Sequence, residues 1–256
     1  MKRNSINYIA DCGSIKRFSI RNPKSEIRNS PVMPEILYED NHIIAVSKKP
    51  SDLSQSDKTG DKSLDKEVKQ YIAEKYRKPG DVFLGVVHRL DRPVSGVILY
   101  ARTSKALERL NEMFRTGDVI KTYLAIVKER PPEDKATIFH FLKKNEKQNK
   151  TYVYDNEVRG SRKASLTYCL AGRSERYYLL EIILHSGRHH QIRVQLAAIG
   201  CPIKGDLKYG YPRSNKDGSI SLMARKLEFV HPVRKEKITI TAPFTGGDIW
   251  ESFNYE

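Results

Sequence analysis

Hydrophobic and polar positions recur with two different periods along this chain of 256 residues. Apolar residues three or four positions apart predict a helix over residues 63–78, with Ser63 as its N-cap. The same spacing predicts a second helix over residues 104–116, which ends at Gly117. The apolar residues of the first helix are Leu64, Val68, Tyr71, Ile72 and Tyr76, and its charged residues form a solvated face. We assign the apolar residues of the second helix to the core: Leu107, Leu110, Met113 and Phe114.

Short apolar runs between polar turns predict the strands. Residues 36–46 contain two such runs with a turn at 39–41, which is typical of a hairpin. The stretch 186–196 opens a third helix, which ends at 200–202. Further strands are predicted at 82–87, 97–101, 121–127 and 177–185, and two more within 226–242.

The loop at 87–96 lies between two apolar runs and carries the sequence VHRLDRPVSG. Its Pro and Gly mark it as a loop, and loops on buried strands are frequent places for chemistry. Asp91 is therefore the candidate reacting group. The alternative is an ordinary surface turn in which Asp91 pairs with Arg89 or Arg92.

His-Arg-Leu-Asp is followed, after three intervening residues, by Ser-Gly. This pattern resembles the active-site motif of the RluA-type RNA pseudouridine synthases. The resemblance extends over roughly residues 34–245 and includes further stretches in the family's order: 48–50, 121–123, 186–193, 202–206 and 222–224. The chain departs from the usual family residues at Lys48, Asp52, Val94, Ser186 and Met223.

The resemblance implies an α+β fold with a mixed, largely antiparallel sheet flanked by helices, formed by a single catalytic domain over residues 33–256. It also implies an enzyme that isomerises uridine in RNA. Such an enzyme breaks the C1′–N1 bond, rotates the base and rejoins it through C5. A base stacked in a helix cannot be handled in this way, so the uridine must be flipped out.

The resemblance assigns a role to each matching residue. Asp91 is the nucleophile, and the Arg193 guanidinium pairs with it and favours its ionised form. Tyr123 stacks on the base and takes part in proton transfer at C5. Arg89 enters the space that the flipped base leaves, and Leu222 packs under the ring.

Four further residues, His88, Arg92, Arg188 and His190, are predicted as structural supports or phosphate contacts. Whether Asp91 attacks C6 or C1′, or assists glycal formation, is left open by the sequence. Two other classes of protein are also left open. One is a non-catalytic RNA-binding protein with a decayed site, and the other is a hydrolase that uses Asp91 with His88 or His190.

Charge supports a polyanionic partner. The chain has 46 Lys and Arg against 31 Asp and Glu, a net charge of +15, which favours nucleic acid first and an anionic membrane surface second. Residues 143–163 combine basic side chains with two tyrosines and are predicted to grip RNA as a loop or hairpin. Residues 1–32 are basic, and we expect a mobile or loosely docked arm there.

We expect neither a metal nor a cofactor, because the reaction oxidises nothing and the chain shows no phosphate-cradling Gly-rich loop. The histidines at 185–190 have no nearby Cys or acidic residue to complete a metal set. The three cysteines lie far apart, which suggests a reducing compartment. We therefore expect a cytoplasmic monomer, with no membrane span, that acts on ribosomal RNA, transfer RNA or both.

Overall fold

The computed structural model describes residues 33–56, 61–244 and 248–253. The helices are α1 (Leu64–Lys75), α2 (Ser104–Thr116), α3 (Gln191–Ala198) and α4 (Asp248–Glu251), with a 3₁₀ turn at Leu207–Tyr209. The strands are β1 (Glu35–Glu39), β2 (Ile43–Lys48), β3 (Gly85–Val86), β4 (Ser95–Ala101), β5 (Ile120–Val127), β6 (Lys135–Asn145), β7 (Lys150–Tyr154), β8 (Arg162–Arg173), β9 (Tyr178–Leu184), β10 (Leu222–Val230) and β11 (Lys237–Thr241).

All eleven of these strands belong to one sheet, in the order β1-β2-β4-β10-β5-β9-β8-β6-β7. β3 pairs with β4, and β11 pairs with β10. Among the described strands, β4 and β10 form the one parallel pair. This is the mixed, largely antiparallel sheet flanked by helices that the sequence predicts, and the fold class is confirmed.

The helices cover both faces of the sheet, because alternate strand residues point to opposite sides. Leu110 of α2 packs on the face that holds Leu99, whereas Val68 of α1 packs on the face that holds Ile98. α3 packs beside Ala224 of β10, which lies opposite Gly96 in the parallel pair. α1 and α3 therefore share one face, and the loop before β4 opens onto it.

Gly96 allows β4 and β10 to meet at this point. Its φ is 117°, in the region that favours glycine, and a Cβ on it would overlap the Ala224 carbonyl oxygen. The glycine of the predicted motif is therefore required by the close approach of two backbones. This approach sets the loop that precedes β4 against the start of β10.

The predicted helices and most predicted strands are confirmed, with two local corrections. Only Gly85–Val86 of the predicted strand 82–87 is a strand, while Val82 and Leu84 pack as loop residues in the core around α1. Ser63 occupies the N-cap position, but its hydroxyl bonds to that of Ser56 instead of capping the helix.

Most of β6 and β8, which pair with each other, was not predicted as strand from the sequence. The basic stretch 143–163 forms the end of β6, all of β7 and the first residues of β8, which is the predicted hairpin form. The predicted N-terminal arm, 1–32, lies outside the described residues. In the described part of the chain, the helices are all too short or too polar to cross a membrane.

Candidate active site

Four separate segments bring the predicted site residues together on the face shared by α1 and α3. The loop before β4 carries Asp91, β5 carries Tyr123, β10 begins at Leu222, and the first turn of α3 carries Arg193. They line a small cavity of about 110 Å³, whose other predicted members are Arg89, Arg188 and His190. The cavity shares many of its lining residues with a wider cleft of about 1240 Å³. His88 lines the cleft but does not line the cavity.

Arg193 holds the Asp91 carboxylate. Its Nη1 donates to Asp91 Oδ2 at 3.0 Å, while its Nε and Nη2 donate to the two carboxylate oxygens of Asp206 at 2.7 and 2.8 Å. Burial alone lowers the pKa of Arg193, but Asp206 and Asp91 more than offset this and raise it. A permanently charged guanidinium therefore faces Asp91, as the resemblance implies.

Asp206 is the residue that sequence reasoning missed. Its side chain is 1% exposed, and its bidentate contact leaves one arm of the Arg193 guanidinium for Asp91. The preceding Gly205 has a φ of 89°, and a Cβ there would press on Asn215 and the Ser219 carbonyl. Asp206 lies inside the matching stretch 202–206, but no spacing rule connects it with a helix residue thirteen positions earlier.

His190 faces Asp91 from the start of α3. Its Nε2 lies 3.5 Å from Asp91 Oδ2, and its Nδ1 lies 2.9 Å from the hydroxyl of Tyr209. Burial, and then the neighbouring Arg193, lower the pKa of His190 to about 2. Since the Tyr209 oxygen accepts the Thr151 N–H, its proton can go to Nδ1, which leaves neutral His190 with an Nε2–H toward Asp91.

Tyr123 lies between the sheet and the cavity. Burial, and then the charge of Asp91, raise the pKa of its hydroxyl. The hydroxyl is therefore protonated throughout the neutral range. Its ring and the Leu222 side chain together form the apolar floor of the cavity, which is the environment that a planar base requires.

Three other predicted residues differ in exposure. Arg89 and Arg188 are both exposed at the cavity, where their side chains can reach a bound polyanion. His88 instead accepts the Leu99 N–H through Nε2 at 3.0 Å and stacks on Phe114. Burial lowers the pKa of His88 to about 4, and these contacts favour its structural alternative over a phosphate contact.

A second cavity and possible metal-binding clusters were compared with this site. A separate cavity of about 840 Å³, lined by Lys128, Tyr177 and Lys204 among others, contains none of the predicted residues. No group of three or more His, Cys, Asp and Glu side chains in the described part of the chain is arranged to hold a metal ion.

The fold matches solved pseudouridine synthase structures. Human "RNA Pseudouridylate Synthase Domain Containing 4" superposes with a TM-score of 0.69 at 20% identity, over 82% of this chain and 88% of that one. Human "RNA Pseudouridylate Synthase Domain Containing 1" superposes with a TM-score of 0.63 at 20% identity, over 90% of this chain and 86% of that one. At this identity the likeness shows a shared fold class, the pseudouridine synthase fold.

The sequence comparisons show the family. Residues 42–198 match the RNA pseudouridylate synthase family. A tRNA pseudouridine synthase C from Haemophilus influenzae is 32% identical, with 82% of this chain and 92% of the relative covered. A ribosomal large subunit pseudouridine synthase C from Buchnera aphidicola subsp. Baizongia pistaciae is 33% identical, with 81% and 66% covered.

The chain therefore belongs to the RNA pseudouridylate synthase family, of the RluA type that the motifs indicate, and it is an RNA uridine isomerase. The predicted enzyme class is confirmed, and catalytic function is supported over the non-catalytic alternative.

Proposed function

We propose that this enzyme converts uridines of transfer RNA or ribosomal RNA to pseudouridine at the cavity around Asp91. The observation that supports this most directly is the Asp91 carboxylate held at 3.0 Å by Arg193 beside an apolar floor. The names of the relatives support the two RNA classes. Which uridine is modified depends on contacts outside this cavity.

Asp91 supplies the ionised carboxylate on which each open route depends. Attack on C6, attack on C1′ and assistance to glycal formation all require a carboxylate that carries its negative charge. Arg193 stabilises that charge, and neutral His190 places a second donor near the same oxygen. The reaction is balanced within the nucleotide: C1′–N1 breaks, C1′–C5 forms, C5 loses a proton, and N1 ends with one.

Tyr123 stacks on the base in this proposal. Its raised pKa keeps the phenolate population small near neutral pH, so its hydroxyl holds a proton and donates hydrogen bonds. We therefore expect Tyr123→Phe to retain more activity than Tyr123→Ala, because Phe keeps the stacking ring. Near-complete loss of activity in Tyr123→Phe would instead assign the hydroxyl an essential part in proton transfer at C5.

The exposed arginines contact the RNA around the flipped uridine. Arg89 lies on the same loop as Asp91, and its planar cation suits the space between bases that the flipped nucleotide leaves. Arg188 lies across the cavity and suits a phosphate contact. His88 acts from below by fixing the loop to β4 through Leu99.

Residues 33–256 would form one catalytic domain that works as a cytoplasmic monomer without a cofactor. Each proposed site residue comes from this one chain, and an isomerisation consumes no donor or oxidant. Cys169 and Cys201 are free thiols, which suits a reducing compartment. Light scattering of the purified protein tests the monomer.

The experiment that tests the function uses cells that lack this gene. Their RNA is mapped for pseudouridine, and the wild-type and Asp91→Asn proteins are each returned. We expect a site that disappears in the deletion, returns with wild type and stays absent with Asp91→Asn. Asp134→Asn, which changes an exposed aspartate paired with Arg130, is the matched control and should restore the site.

Full rescue by Asp91→Asn would contradict the assignment of Asp91. A deletion that loses no pseudouridine in either transfer or ribosomal RNA would contradict the proposed substrates. An assay of the purified wild-type and Asp91→Asn proteins on transfer RNA and on ribosomal RNA distinguishes these two results.

A further inference from the structure

Lys48 ends β2 and is completely buried, with 0% of its surface exposed. Its Nζ donates to three backbone carbonyl oxygens: those of Lys49 at 3.1 Å, Arg92 at 3.0 Å and Val94 at 2.7 Å. These three bonds use the full donor capacity of an ammonium group. Two of the acceptors belong to the loop that carries Asp91.

The same loop receives further contacts from the segment after β2. Ser51 N–H donates to the Arg92 carbonyl at 2.9 Å, and the Ser54 hydroxyl donates to the Leu90 carbonyl at 2.9 Å. Lys48 therefore belongs to a clasp, residues 48–54, that holds the Asp91 loop from both sides of Asp91. Lys48 supplies the charged member of this clasp.

A buried ammonium without a carboxylate in contact needs an explanation, because burying an isolated charge is costly. No ion pair of Lys48 is present among the described residues, and the charged groups around it are Asp52, Asp91 and Arg92. Burial lowers the pKa of Lys48 to about 8, while Asp52 and Asp91 act in the opposite direction. Structural cross-linking alone does not require a charge, since an amide can donate to carbonyls.

We propose that Lys48 is a positioning residue for Asp91: its ammonium fixes the Arg92 and Val94 carbonyls, and so holds the Asp91 carboxylate in line with Arg193. The inference rests on the proposed function of Asp91. It also gives a physical use to Lys48, one of the positions at which the chain departs from the family motifs that it resembles. In this chain the loop is bound by an amine whose pKa burial lowers to about 8.

Activity and stability then respond to pH in opposite directions. Above pH 8 the amine loses a proton and one of its three donors, so kcat should fall as the loop loosens. The folded pKa of about 8 lies below the unfolded 10.5, so between these values the unfolded chain binds more protons. The unfolding free energy contributed by Lys48 therefore rises with pH over that interval.

The test compares Lys48→Met, which keeps length but removes the charge and donors, with Lys48→Arg, which stays charged. Lys105→Met removes an exposed charge on α2 and is the matched control. We expect Lys48→Met to lower kcat by about tenfold to a hundredfold, as small misplacements of a reacting group do, with KM within about twofold. The control should match wild type.

The pH profile separates positioning from a purely structural role. Wild-type kcat should fall above about pH 8 while the protein stays folded, and Lys48→Arg should lack this fall up to higher pH. A folded Lys48→Met with wild-type kcat would overturn the inference. A wild-type kcat that does not fall near pH 8 would also overturn the inference. This measurement uses the wild-type protein and can be made even if Lys48→Met does not fold.

Asp91→Asn keeps the two proposals apart. If it is inactive and Lys48→Met is fully active, only the positioning role fails. If Asp91→Asn is itself active, the proposed role of Asp91 fails, and the positioning role of Lys48 fails with it.

Discussion

At the scale of single residues, Arg193 has two carboxylate partners with different environments. Asp206 is 1% exposed and is bound through two nitrogens, whereas Asp91 is 28% exposed and is bound through one. The buried pair fixes the orientation of the guanidinium, and the remaining nitrogen then holds the carboxylate that we propose as the reacting group. Under that proposal, Asp206 acts on the reaction through Arg193.

Asp206→Asn should reduce both stability and activity. The substitution leaves the Arg193 charge buried with a weaker partner, and loss of one member of a buried pair costs about 3 kcal/mol. We expect a free energy of unfolding lower by about that amount and a kcat at least about tenfold lower, since misplacement of a reacting group is costly. Urea denaturation and single-turnover kinetics measure the two effects.

Asp134→Asn provides the comparison, because the exposed Asp134–Arg130 pair is screened by solvent and should contribute little to stability. Wild-type kcat in a folded Asp206→Asn protein would show that Arg193 needs no second carboxylate.

The depressed pKa of His190 predicts an acid-side loss of stability. The folded value is about 2 and the ordinary value is 6.5, so below pH 6.5 the unfolded chain binds a proton that the folded chain does not. Stability is therefore fully present above pH 6.5 and declines as pH falls. The loss from His190 at pH 5 should be about 2 kcal/mol.

Comparison of His190→Asn with wild type at pH 7 and pH 5 isolates this contribution. Asn tolerates the left-handed backbone of position 190, whose φ is 51°, so the fold should persist. The variant should lose less stability between the two pH values than wild type does. Equal losses would mean that His190 is protonated in the folded protein.

At the scale of elements, the β6–β7 hairpin is attached to the site. The Thr151 hydroxyl donates to the His189 carbonyl at 2.9 Å, which links β7 to the residue before His190. Tyr152 and Tyr154 lie two residues apart on β7, with exposures of 39% and 38%. Together with Lys143 and other residues they line a cavity of about 330 Å³. Exposed rings beside a cation are suited to splayed RNA bases.

Replacement of the hairpin tyrosines should weaken RNA binding without changing the chemical step. Tyr152→Ala and Tyr154→Ala should each reduce affinity by about 1 to 3 kcal/mol where the ring stacks on a base. Val230→Ala, at an exposed apolar position of β10, is the control. Filter binding measures the affinity, and single-turnover rates at saturating RNA measure the chemical step. Unchanged affinity in a variant that carries both Tyr152→Ala and Tyr154→Ala would show that the hairpin is not part of the RNA interface.

At the scale of the whole molecule, the net charge of +15 predicts an association driven by phosphate contacts. The logarithm of the binding constant should fall linearly with the logarithm of the salt concentration. Lys143→Gln should reduce the slope by about 0.7 to 0.9 if that side chain neutralises one phosphate. Lys105→Gln, on α2, should leave the slope unchanged, and an affinity independent of salt would contradict the interpretation of the charge.

The sequence by itself determined most of the local elements and singled out Asp91 as the candidate reacting group. Helical spacing predicted α2 with its Gly117 end, alternation predicted β5, and the motif around Asp91 led to the family. These features depend on residues that are near one another in the chain, where steric preference and periodicity act directly. Arg193 and Tyr123 were also predicted as site residues from the sequence, because each lies in a recognisable motif of its own.

Only the tertiary structure decided which residues support that group. Asp206, Tyr209 and Lys48 meet the site through contacts between segments that are far apart in the chain, and no periodicity records such contacts. β6 and β8 escaped prediction although their burial alternates, because polar side chains interrupt the apolar runs from which the other strands were predicted. Burial in the folded chain, absent from any local pattern, is what lowers the pKa values of Lys48 and His190.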